Sequence, residues 1–120
     1  KEEAVDLTTK HIVGFLAEHR KSFGSYPKMK KIDVNQIGKE FDKLGKDKKP
    51  QSTTVQGLTL MGVLQSLDQE AIYYGESVGP MDKEKILFRW KISEGRFQVI
   101  YGDLRSEAVD GEKLKRLEGK

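Results

Sequence analysis

The sequence predicts an α+β fold: an N-terminal amphipathic helix packed on a small C-terminal antiparallel sheet, with short helices between. Two observations carry that reading. Apolar residues recur at helical spacing through the first part of the chain, and at period two after Lys85. The helices also precede the strands instead of alternating with them, which separates α+β from α/β. A chain of 120 residues suits a single domain spanning 1–120 and buries roughly two thirds of its unfolded surface.

Val5, Thr9, Ile12, Val13, Leu16 and Phe23 share one helical face, opposite Lys10, Glu18 and Lys21, so residues 2–22 read as a helix. Glu2, Glu3 and Asp6 sit near its start, where the helix dipole favours acids. Gly24 suits a left-handed cap after Phe23, and Pro27 prevents continuation. Asp33 with Gln36 forms a capping-box pattern for a second helix lined by Val34, Ile37, Phe41 and Leu44 and stopped at Gly45. Lys46 to Thr54, with Pro50, reads as a polar loop. Leu58, Met61, Leu64 and Leu67 predict a third helix over about 54–69, which Gly57 and Gly62 weaken by up to about 1 kcal/mol each.

Ala71 to Tyr74 reads as a short strand. Ile86, Phe88, Trp90 and Ile92 then alternate with Leu87, Arg89 and Lys91, the pattern of a half-buried strand. Ser93 to Arg96 is a turn. Phe97, Val99 and Tyr101 alternate through a second strand, which predicts a hairpin with one aromatic-rich inner face. Arg105–Val109 adds a third strand, and Leu114 with Leu117 predicts a frayed helical tail. The N-terminal helix is expected to cover the apolar face of the hairpin, which is marginal alone.

Charged residues make up 34% of the chain and hydrophobic ones 36%, with a net charge of +3. The basic excess is local. Residues 20–49 carry Arg20, Lys21, Lys28, Lys30, Lys31, Lys39, Lys43, Lys46, Lys48 and Lys49 against Asp33, Glu40, Asp42 and Asp47. Lys28, Lys30, Lys31, Lys46, Lys48 and Lys49 form a possible interaction patch, able to attract phosphates or anionic lipid, or simply a solvated face. The absence of cysteine excludes disulfides, thiolate catalysis and zinc–thiolate sites. No stretch reaches the ~20 apolar residues of a membrane span. The chain opens on Lys1, from which we expect that a tag, signal or membrane anchor precedes it.

No motif makes a catalytic, metal or cofactor site. Gly75-Glu76-Ser77-Val78-Gly79 matches the nucleophile elbow of hydrolases, but Pro80 follows at once and both histidines lie upstream. His11 and His19 stand about 12 Å apart along a helix axis, too far to share a metal, and read as surface histidines. Asp82, Glu84, Asp103, Glu107 and Asp110 read as solvated loop acids. Phe88, Trp90, Phe97 and Tyr101 would stack bases if exposed, though an alternating aromatic face usually forms core.

A helix ending in Gly24-Ser25-Tyr26-Pro27, then a loop-rich region and an antiparallel hairpin, resembles the soluble part of type IV pilins and type II secretion pseudopilins. The resemblance implies a non-enzymatic structural or protein-interaction domain of the bacterial envelope, self-assembling or binding protein partners. It implies a membrane link only through a segment before Lys1, and no cofactor. It rests on an overall layout and four residues, without the cysteine pair or calcium loop that some members carry. Two other functions stay open. One is a small nucleic-acid-binding module using the basic 20–49 segment, with cytoplasmic placement. The other is a ligand-binding domain or enzyme whose site has no sequence signature.

Overall fold

The computed structural model describes residues 2–44, 52–67 and 70–119. It shows an α+β fold with the expected order. Helix α1 spans Glu2–Phe23 and α2 spans Val34–Asp42. Helix α3 runs Ser52–Leu67, taking in the end of the expected loop. Strands β1 (Ile72–Tyr73), β2 (Ile86–Ser93), β3 (Arg96–Tyr101) and β4 (Ser106–Asp110) follow, and α4 (Gly111–Leu117) closes the chain. The stop expected at Gly45 and the loop residues 46–51 lie outside the described residues.

Local chemistry explains the boundaries. Gly24 adopts φ 82°, a left-handed conformation that costs glycine nothing, and its N–H caps α1 by donating to Arg20 O at 2.7 Å. The turn that follows is pinned by two buried tyrosines. Tyr26 donates to Gly102 O at 2.7 Å, and Tyr73 donates to Pro27 O at 2.6 Å. Asp33 caps α2 by accepting from Gln36 N. The reciprocal half of the capping box is absent: the Gln36 amide donates to Glu40 instead.

The four strands form one antiparallel sheet in the order β1-β2-β3-β4. Its register overturns the expectation of one aromatic-rich face. Arg89 pairs with Val99 and Lys91 with Phe97, and directly paired residues share a face. Phe97 and Val99 therefore lie opposite Phe88 and Trp90. An irregularity between Ile86 and Phe88 shifts the phase again, so that Ile86 pairs with Tyr101 while Phe88 pairs with Ile100. Strict period-two counting across residues 86–92 could not see that slip.

Both faces are consequently buried. On one, Leu87, Phe88, Trp90 and Ile100 join Ile12, Phe15 and Leu16 of α1, Ile37 and Phe41 of α2, and Leu58 and Met61 of α3. The opening helix meets the sheet as expected, but its main neighbour is α3. On the other face, Ile86, Phe97, Val99, Tyr101 and Val109 are closed by Leu114 of α4. The C-terminal tail is thus an ordered helix and not a frayed end: Asp110 caps it through Lys113 N at 2.8 Å. Beyond it, Glu118 pairs with Arg89 at 3.0 Å and accepts from Tyr74.

Candidate interaction surface

Helix α3 has no charged side chain in 16 residues, within a chain that is 34% charged. Its polar residues are all uncharged Ser, Thr and Gln, and only some of its apolar residues face the core. Leu58 and Met61 face the core, and Gly57 lets α1 approach so closely that a Cβ would strike His11 O. On its outer side Val55 and Val63 are each 45% exposed and Leu67 is 82% exposed. Leu7 of α1 shares a groove with Val55 and is 57% exposed.

Two shallow grooves mark this side. One, of about 390 Å³, runs between Leu7 and His11 of α1 and Val55 and Thr59 of α3. The second, of about 380 Å³, is bordered by Val34, Thr59, Val63 and Leu67. Thr59 lines both, so the face is continuous along α3. Neither groove is lined by an Asp, Glu, Lys or Arg side chain. The chain outside this face carries the charge. A face of this composition matches the centre of a protein interface, where charged residues are depleted.

The basic patch is only half visible. Lys28, Lys30 and Lys31 are exposed on the loop between α1 and α2, whereas Lys46, Lys48 and Lys49 lie outside the described residues. Gln65 of α3 holds that loop, accepting from Ile32 N at 2.7 Å and donating to Lys30 O at 3.1 Å. The basic loop therefore flanks the uncharged face. The stacking platform does not exist: Phe88, Trp90, Phe97 and Tyr101 are all buried.

The serine motif is a plain turn. Ser77 is exposed, and its N–H and that of Val78 both donate to Tyr74 O. Gly75 is required because a Cβ would overlap the Tyr73 ring and Pro27 O. The loop acids do not converge. Asp82 accepts from Gly79 N at 2.8 Å, Asp103 pairs with Arg105 at 2.8 Å, and Glu107 accepts from Tyr101 and meets Lys113. Asp82, Asp103 and Glu107 organise local turns and strand ends, while Glu84 is 87% exposed, solvated as expected, and meets Arg105 at 3.6 Å. Among the described residues no group of three or more potential metal ligands gathers, and no helix is long and apolar enough to cross a membrane.

His19 is the clearest miss. Expected at the surface, it is 4% exposed. Its ring lies 6.0 Å from Phe15, 4.5 Å from Phe23 and 5.9 Å from Phe41, centroid to centroid. The signal was available, since His19 falls four residues after Phe15 and four before Phe23, on one helical stripe. A scan of protein-family models gives no match to this chain, and neither curated proteins nor solved structures give a significant one.

Proposed function

We propose that the chain is a non-enzymatic structural domain that assembles with a second copy of itself through the α1–α3 face. One observation carries this reading: α3 has no charge along 16 residues and leaves Val55, Val63 and Leu67 exposed, with Leu7 beside Val55. A contiguous exposed apolar patch rimmed by polar surface is the usual mark of a docking site. A second copy fits because a two-fold contact sets the same patch against itself, and an uncharged patch has nothing to repel its twin.

The experiment is sedimentation velocity across a wide concentration range, comparing the wild type with the double variant Val63→Asp, Leu67→Asp. Both positions are exposed, so the variant keeps its core. The expected result is a concentration-dependent dimer for the wild type and a monomer for the variant. A wild-type chain that stays monomeric up to its solubility limit rejects the reading.

The pilin-like envelope subunit is the finer form of this proposal. Its support is the helix-first, sheet-last order and the left-handed Gly24 before Tyr26-Pro27. It requires about 20 apolar residues encoded before Lys1. A start codon close upstream without that segment would remove the envelope reading and leave the assembly reading intact.

A further inference from the structure

We propose that α2 is an acid-released cover whose trigger is His19. The residue sits where α1, the turn after it and α2 meet. Its Nδ1 lies 2.6 Å from Ser25 O. A carbonyl oxygen only accepts, so Nδ1 carries the proton and Nε2 is left as a bare acceptor. Nε2 is shut from water and has no hydrogen-bond partner. Phe15 and Phe23 of α1 and Phe41 of α2 pack around the ring.

In the neutral form this arrangement leaves one acceptor unsatisfied. A proton on Nε2 changes the balance. It puts a positive charge and a second donor into a phenylalanine cage with nothing to accept the bond. Of the elements that form the cage, α2 is the one able to yield. It has nine residues and contributes Ile37 and Phe41 to the core. A helix this short is held by packing and not by its own propensity. When α2 lifts, the imidazolium gains water.

The ionisable neighbours are few. From α2, the Glu40 carboxylate favours the proton, and Lys43 at the end of α2 lines the same groove as His19. From the turn, Tyr26 and Lys28 line that groove too. Arg20 follows His19 on α1, and α3 has no ionisable side chain. Burial outweighs the Ser25 bond and Glu40, and holds the His19 pKa below its ordinary 6.5. With α2 lifted the ring binds its proton more readily than with α2 closed. The closed state is therefore at full stability above pH 6.5 and loses it as pH falls from there towards the closed-state pKa. A one-proton linkage opens α2 by up to about tenfold per pH unit in that window.

The test is hydrogen exchange, read as protection factors at about pH 7.5 and about pH 5.5, on either side of the histidine range. Residues 34–44 should lose protection at the lower pH while β2 and β3 keep theirs. His19→Gln takes no proton, so it should flatten the response. His11→Gln should leave it unchanged. Should His19→Gln fail to fold, NMR titration of the wild type and of Glu40→Gln decides the matter. Loss of the Glu40 carboxylate must move the titration of His19 in the closed state to lower pH and increase the opening of α2 at about pH 5.5, since the window then runs further below 6.5. Protection of α2 that does not change with pH, a response that survives in His19→Gln, or a His19 pKa at or above 6.5 overturns the proposal.

Discussion

Gly57 and Gly14 are the same residue type in helix interiors, with opposite roles. A Cβ on Gly57 would meet the carbonyl of His11 and Cβ of Phe15, whereas one on Gly14 meets nothing within 4 Å. Helix propensity alone favours alanine at both by about 1 kcal/mol. Gly14→Ala should therefore stabilise by up to about that amount. Gly57→Ala should destabilise by about 1–3 kcal/mol, because α1 and α3 must be pushed apart. Urea unfolding of the two variants measures both; a stabilised Gly57→Ala would show that the helices do not approach this closely. From the sequence, Gly57 reads only as a weak point in a helix. Whether it is a contact depends on a partner helix some 40 residues away. His19 differs, because its place between Phe15 and Phe23 was legible in the spacing. What hid it was the habit of reading histidine as a surface residue.

At the level of elements, α1, α2 and the hairpin were legible because each has a strong period of its own. The distribution of the hairpin between two cores was not. It depends on which residues pair across the strands and on the slip between Ile86 and Phe88, and neither leaves a periodic trace. Helix α4 gains its meaning from that second face. It spans seven residues, too few to be stable alone, and Leu114 is its buried side chain. Leu114→Ala should cost about 2–4 kcal/mol, within the usual range for a buried leucine. It should also raise exchange in α4 and β4 before the helical side of the sheet responds. Near-neutral unfolding energetics would mean that the second face is closed by something other than α4. Glu118 supports the same docking, since its carboxylate meets Arg89, whose side chain is 11% exposed. Removing that partner would leave a largely buried guanidinium less well compensated, beside the Glu70 carbonyl and carboxylate.

Across the whole molecule the charge is unevenly placed, and this separates the proposed assembly from phosphate binding. The chain carries 22 basic and 19 acidic residues, but α3 carries none. Contact through the α1–α3 face brings two chains of net charge +3 together across grooves that no Asp, Glu, Lys or Arg lines. Added salt screens their mutual repulsion, with a Debye length of about 10 Å at 0.1 M and about 3 Å at 1 M. A kosmotropic anion such as sulfate also strengthens apolar burial. The dimer should therefore tighten as sodium sulfate rises, measured by sedimentation at fixed protein concentration. Binding to nucleic acid through Lys28, Lys30 and Lys31 must behave in the opposite way. Each phosphate contact releases counterions, so affinity falls with salt at a slope of about −0.9 per contact on duplex DNA. An assembly that dissolves as salt rises would place the seam on charged residues and not on Val55, Val63 and Leu67. The uncharged helix would then be ordinary surface, and the self-association reading would fall with it.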